Sequence, residues 1–452
     1  MGKKPKRSAS LEDEIVRKTT HAALAAAGAG LVLFAGCQES VPTATDASLI
    51  PINPITVEVL LDFEDFVTDF DVIGGFGSPA DLGRGLVARD FRGTLDARTL
   101  IRFGNFQRSI TVEDSLGVTR QDTAFTVLGG QIVIVFDSTS ASPDIPVTLT
   151  AAATNTPWDR ETATWELAID SVGSRTPWPT PGAGSSTPVG SALFDRSMSD
   201  TVVIAVDSAT IAAWGDTTNL ARGVMIDVAD AGARLEFTSV SLNIDARPSI
   251  NLDTIVSLTG AASERTFIFH PGPDPDPPGL RVGGTPAWRS IMTLEVPETL
   301  TGPPALCALV GCPLTITAER VNQAELVLTT SFDDPAFVPL SAVLVDIRPV
   351  LTPELLPKSP LGATLVGLLG QAVQPELFDT ETGTTVSFPV TFFIQDLIRG
   401  VTLLDEPAPN TISVMTTFEP LLVGFASFQG PGGSGAPMLR LILTVSESVQ
   451  IP

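Results

Sequence analysis

Residues 201–252 read TVVIAVDSATIAAWGDTTNLARGVMIDVADAGARLEFTSVSLNIDARPSINL. The stretch opens on an apolar strand, passes a short amphipathic turn ending at Trp214, enters a second strand, and runs through Phe237-Thr-Ser239 to a closing Arg-Pro-Ser-Ile strand. A degraded copy ends the protein. Thr385 to Gly400 (TVSFPVTFFIQDLIRG) answers the first strand and turn, and Phe425-Ala-Ser427 followed by Ala436-Pro-Met-Leu439 answers the last two features. Upstream, Gly85–Arg89 leading to Arg98–Phe103 matches Gly279–Gly283 leading to Arg289–Leu294, and Gln131-Ile-Val-Ile-Val matches Ala324-Glu-Leu-Val-Leu. Single matches carry little, because strands resemble strands. Several in one order, at offsets between about 185 and 195 residues, indicate a tandem duplication.

The grammar between these landmarks is that of strands. Ile55, Val57, Val59 and Leu61 alternate with Thr56, Glu58 and Leu60, the period of two that a half-buried strand requires. Similar runs recur along the chain, separated by turn-forming clusters drawn from 38 Gly and 37 Pro. The expected fold is therefore all-β: two tandem jelly-roll-like antiparallel β-sandwich domains, 55–260 and 261–452, each able to fold alone. The one helix expected lies in Pro360–Phe378, where Leu365, Leu368, Leu369 and Val373 fall at helical spacing.

Composition bounds the function. The chain has 51 acidic and 27 basic residues. Six of the basic residues and three of the acids lie in the first 36 positions, so the remainder carries 48 acids against 21 bases. Such a surface repels phosphate backbones, and nucleic acid is not an expected partner. The basic start precedes an apolar run, Ala22 to Gly36, too short to span a bilayer. Leu33-Phe34-Ala35-Gly36-Cys37 resembles the bacterial lipoprotein signal, with Phe34 where leucine is commoner. The resemblance implies cleavage of residues 1–36, acylation of Cys37, and attachment to a membrane through that lipid. Gln38 is not the aspartate that holds many lipoproteins at the inner membrane, so the outer membrane or cell surface is the expected address. The acids Glu12, Asp13 and Glu14 suit a signal poorly, which points to translation starting at Val16. Residues 37–54 read as a tether. Cys307 and Cys312 are placed to form a local disulfide in an oxidising compartment.

Arg98-Thr-Leu-Ile-Arg-Phe103, Trp158-Asp-Arg-Glu-Thr-Ala-Thr-Trp165, Val203–Asp207 running to Trp214, Asn219–Ile226, and Phe237-Thr-Ser239 with Pro248 resemble the ordered landmarks of the DNRLRE domain. That family comprises surface β-sandwiches of bacteria and archaea, some of them carbohydrate-binding modules. The first copy keeps most landmarks and the second few, and the letters that name the family are absent.

Catalytic groups are scarce. After residue 36 the only histidine is His270 and the only lysine Lys358, and the chain has no tyrosine. No nucleophile elbow is present, so no catalytic residue is assigned and no enzyme is expected; a glycosidase, needing only two carboxylates, is the distant alternative. Asp62, Glu64 and Asp65 with Asp69 and Asp71, and Asp274 with Asp276, would suit calcium, the one cofactor considered. Neither cluster has the spacing of a known calcium loop, and both read as solvated charge. Trp158, Trp165, Trp178 and Trp214 lie in the first copy and only Trp288 in the second. Trp178, between two prolines, and Trp158 are the ligand-binding candidates, with Trp178 expected to be exposed. The expected role is non-enzymatic binding or adhesion at the cell surface, with polysaccharide or an envelope protein as partner. The alternative is a structural subunit of an envelope assembly.

If Cys37 carries the anchor, the wild-type protein partitions into the detergent phase and Cys37→Ser into the aqueous phase, since two or more acyl chains at ~0.8 kcal/mol per buried methylene hold firmly. Equal partitioning of the two would remove the anchor.

Overall fold

The computed structural model describes residues 54–104, 106–137, 144–272, 278–302, 304–332, 334–378 and 382–446. Cys37, the tether to Asn53, and the pair Asp274 and Asp276 lie outside them. The chain begins with β1 (Pro54–Leu61), one turn of helix α1 (Phe63–Phe66) and β2 (Val67–Ile73). It continues through β3 (Gly85–Phe91), β4 (Leu95–Gly104), the hairpin β5 (Ile110–Glu113) and β6 (Thr119–Asp122), β7 (Thr126–Phe136) and β8 (Val147–Ala153). A second small hairpin, β9 (Leu167–Ser171) and β10 (Ser174–Pro177), precedes β11 (Thr187–Phe194). Then come β12 (Thr201–Asp207), helix α2 (Ser208–Gly215), β13 (Val224–Val228), β14 (Ala233–Arg247) and β15 (Val256–Phe269). These form one antiparallel sheet in the order β11-β8-β13-β4-β15-β14-β7-β12, with β3 bridging β14 and β4. The long β15 pairs with β14 along its first half and with β4 along its second, so the sheet folds over itself as a sandwich. Its core includes Phe103, Ile132, Leu149, Ile204, Ile226, Phe237 and Leu242.

The second half contributes β16 (Leu280–Gly283), β17 (Arg289–Leu294), the short pair β18 (Thr299–Leu300) and β19 (Leu314–Thr315) around helix α3 (Pro304–Val310), and β20 (Val321–Thr329). It ends with β21 (Val343–Pro349), β22 (Gln371–Val373), β23 (Thr385–Pro389), helix α4 (Thr391–Arg399), β24 (Thr411–Thr416), β25 (Phe425–Phe428) and β26 (Met438–Ser446). Two sheets, β1-β26-β20-β23 and β2-β17-β24-β21-β22, pack over Leu61, Phe66, Leu326, Phe388, Ile412, Phe428 and Leu441, with β16 against β25. The molecule is all-β, built of antiparallel sheets packed as sandwiches.

The repeat is visible in strand pairing. β4 lies between β13 and β15 as β17 lies between β24 and β2; β7 lies between β12 and β14 as β20 lies between β23 and β26. Each copy also has one buried hydroxyl stitching two strands: Thr99 Oγ1 donates to the Leu86 carbonyl and accepts from its N–H, both at 2.8 Å, and Ser290 Oγ does the same with Arg281 at 3.0 Å. In that scheme the slot filled by β15 in the first sandwich is filled in the second by β1 and β2. Ile268 faces Arg98 across the ladder, and Ile73 faces Arg289.

The first strand of each sequence repeat therefore completes the other copy's sandwich. The expected division at 260/261 falls inside β15, and β1, expected to open the first module, pairs over eight residues with β26. Alternation tells which face of a strand is buried but not which sheet receives it, so the exchange leaves no mark in the pattern.

Two local expectations also change. Leu368 and Leu369 are exposed, and Pro360–Phe378 forms a loop, β22 and a 3₁₀ turn, because Gly367 and Gly370 take left-handed φ of 103° and 69° that end any helix. The closing strand after Arg247 is absent: Pro248 has no N–H to continue the ladder, and Asp122 receives the freed N–H and hydroxyl of Ser249. The two halves meet over Leu86, Phe91, Leu95 and Phe267 on one side and Ala336, Phe337 and Val423 on the other.

Residues 261–452 expressed alone should fail to give a folded monomer, since the fragment lacks β1 and β2 and exposes β26 and β17 as bare edges. Co-expression of residues 54–78 should restore dispersed amide spectra. A fragment that melts like the full chain without that segment would show the exchange to be dispensable.

Candidate functional site

The connection between β8 and β11 runs from Thr154 to Ser186 and carries three of the five tryptophans. Asp159 starts it as a turn, its Oδ1 accepting from the N–H groups of Glu161 and Thr162 and from the Thr162 hydroxyl at 3.0–3.1 Å. Thr164 Oγ1 accepts from Leu167 N–H, and the Trp165 carbonyl from Gly182 N–H at 2.7 Å. The loop folds its indoles under itself. Trp158, Trp165 and Trp178 pack with Leu100, Met225 and Ile268 on the outer face of the β4–β13 sheet.

Arginines hold this layer from below. The Arg102 guanidinium lies 4.0 Å from the Trp158 ring centre, donates to the carbonyls of Trp158, Leu220 and Arg222, and pairs with Glu264. Arg98 sits over Trp165, donates to the Gly182 carbonyl, and forms an ion pair with Asp227, which Arg89 shares. Burial pushes the Asp227 carboxyl above its ordinary range despite those two arginines. Burial likewise raises Glu236 and lowers Arg234, a pair 2.6 Å apart beside the interface of the two halves.

The structure corrects the ligand candidates. Trp178 is 5% and Trp158 3% exposed, so neither offers a free face for stacking. The flanking prolines do not expose Trp178; it is buried, and its Nε1 donates to the Thr164 carbonyl at 2.9 Å. The acids Asp62, Glu64, Asp65, Asp69 and Asp71 are all exposed, and among the described residues no three metal-ligating side chains converge. Cys307, inside helix α3, is joined by a disulfide to Cys312, two residues past the helix end.

What the loop builds is a cleft. Its outer edge, Glu161 to Glu166, faces the segment after β2 and the turn at Thr285-Pro286 across a space of about 310 Å³. Phe269, Pro271 and Pro286 give it an apolar floor over the buried rings of Trp165 and Phe267, and Ser78, Thr162 and Thr164 supply hydroxyls. Thr285 Oγ1 is buried without a hydrogen-bond partner. The cleft continues past Glu161 into a more open depression of about 360 Å³ bordered by Phe76, Asp81 and Asp170. The Ser78 hydroxyl reaches Glu161 at 3.4 Å, and Phe76 carries the Arg289 guanidinium 3.7 Å from its ring centre. His270 meets Trp165 edge-on at 5.9 Å. Of the sequence candidates, Trp158 and Trp178 support the wall without lining it. Phe76, Phe269, Pro286 and Glu161 carry no signal in the sequence, since the walls come from segments of both halves that lie far apart along the chain.

No family model matches the chain, and no curated protein matches it. Among solved structures, the C-terminal domain of the Streptococcus pyogenes antigen I/II-family protein AspA aligns over 70% of this chain and 76% of its own, at 9% identity and a TM-score of 0.14, too slight a likeness to carry an argument.

Trp178→Ala and Trp158→Ala should each cost about 3–5 kcal/mol of stability, the range for a large aromatic removed from a core. Denaturant titration checks this. A loss below about 1 kcal/mol for either would mean the loop is not packed as described.

Proposed function

We propose that the protein is an exported, lipid-anchored surface component that binds neutral polysaccharide, without turnover, in the cleft between the tryptophan loop and the second sandwich. One observation carries the reading: a cleft of about 310 Å³ whose accessible apolar surface is Phe269, Pro271 and Pro286, edged by carboxylates and hydroxyls. Sugars present apolar C–H faces that stack on such surfaces and hydroxyls that such edges can hold. The edge acids Glu161, Glu166, Asp81 and Asp170 outnumber its bases Arg160 and Arg175, which favours neutral over acidic chains. The resemblance of the first copy to a family containing carbohydrate-binding modules agrees with this. The lipoprotein-like signal at Leu33–Cys37 supports the address.

In affinity electrophoresis of the full chain through neutral and acidic polysaccharides, a neutral one should retard the wild type. Glu161→Ala should weaken that retardation about tenfold, the loss of one or two charge-assisted hydrogen bonds, and Thr164→Trp should abolish it by filling the cleft. Melting temperatures should stay within a few degrees. If no polysaccharide retards the wild type, the structural-subunit reading replaces this one.

A further inference from the structure

The connection after helix α4 is a short, rigid turn that presents two leucines to solvent. Leu403 and Leu404 are each 81% exposed. The turn is closed by Thr402, whose N–H donates to the Glu406 carbonyl at 2.8 Å and whose hydroxyl accepts from the N–H groups of Leu404 and Glu406 at 3.3 Å. Val401 bridges Pro407 below it. Nothing in this geometry needs leucine: a polar pair would close the same turn at no cost to the core, whereas exposed leucines forgo their burial energy.

The turn stands at one pole of the molecule. Gln395 of α4 donates to the Val321 carbonyl at 2.8 Å, Val321 faces Leu443, and Leu443 faces Val57 near the start of β1. The chain thus enters the described fold, at Pro54, on the same end of the same sandwich. β20 leads away from this end, and after roughly 26 Å of strand it reaches Thr330 and the region of Phe337, where the first sandwich packs. Sixteen residues separate Cys37 from Pro54, a reach of at most about 60 Å.

Resting on the anchored reading above, the geometry points to the Leu403-Leu404 tip as a second membrane contact, inserting between the headgroups of the bilayer that holds the lipid. Asp405 and Glu406 follow directly, so the tip enters only to headgroup depth with those carboxylates in water, and zwitterionic headgroups suit it better than anionic ones. The contact would orient the protein with its polysaccharide cleft away from the membrane.

The test uses the lipidated full chain with Leu404→Cys, in which Cys37 is blocked by its lipid and Cys307 and Cys312 are bonded to each other, leaving one thiol for an environment-sensitive fluorophore. Leu116→Cys, in the exposed β5–β6 turn of the first sandwich, is the control. On phosphatidylcholine–phosphatidylethanolamine vesicles the label at 404 should shift to the blue and be quenched by headgroup-attached spin labels at least about threefold more than the label at 116. Equal, water-like signals at both positions on vesicles that retain the protein would overturn the tip contact while leaving the anchor intact. A blue shift that appears without lipid as protein concentration rises would assign the tip to a second copy of the chain and overturn it too. Retention of Cys37→Ser and wild type to the same negligible extent would remove the anchored reading and this inference together.

Discussion

The pairing of β15 through two layers is the constraint on which the rest of the molecule depends. A fourteen-residue strand that begins beside β14 and ends beside β4 fixes the two layers of the first sandwich against each other. It also fills the slot that β1 and β2 would occupy if each repeat closed on itself. The earlier strands are then left to cover β26 and β17, and no long central edge is bare in either half. The entropic cost of closing so long a loop is small, because each doubling of length adds only about 0.6 kcal/mol. The kinetic consequence is larger: β1 has no partner until the last strand of the chain has been made, so assembly is dominated by the most non-local contacts available.

Two arginines of the first half, Arg98 and Arg102, serve its loops as well as its sheets. Loop carbonyls have no neighbouring strand, and a buried one left unpaired costs free energy. Arg102 supplies donors to three such carbonyls and Arg98 to a fourth, each guanidinium also lying over an indole. Exchanging ion pairs for apolar contacts is often neutral or favourable, so net Coulomb energy is not a sufficient reason for these arginines. Their forked geometry is a better one, because several fixed donors on a single rigid group can satisfy an irregular backbone. In the second copy the equivalent Arg289 pairs instead with Glu419 and lies over Phe76, a residue delivered by the exchanged strand.

Strand content, the duplication and its order were legible in the residues, because alternation and turn-forming clusters are local signals. Partner choice was not. Val57 and Leu61 announce a buried face in the same letters whichever sheet receives them, and only the closed structure shows them against the second core. The helix expected around Leu365–Val373 failed for a local reason, two glycines whose φ a helix cannot use. The prolines beside Trp178 favour an exposed loop, whereas the contact that buries it, its Nε1 on the Thr164 carbonyl, joins two turns of that loop. The cleft was invisible for the same reason as the exchange. Its floor and edges come from segments near residues 77, 164, 268 and 286, which nothing in the sequence brings together.

The two copies have diverged where their surroundings differ. The connection between β8 and β11 in the first copy, Thr154 to Ser186, carries three tryptophans, whereas its counterpart between β21 and β22, Val350 to Gly370, is shorter and has none. In the first copy that loop reaches the neighbouring sandwich and becomes a wall of the cleft. The second sandwich receives the N-terminal strands, so any load on the chain before Pro54 passes into the β1–β26 ladder of that copy. The copy that takes the load keeps a shorter connection at this one position. The copy one sandwich farther along the chain's path from that entry point carries the elaborated loop. On the proposed reading this is the division that an anchored binding protein requires, because recognition needs irregular loops and attachment needs an unbroken strand.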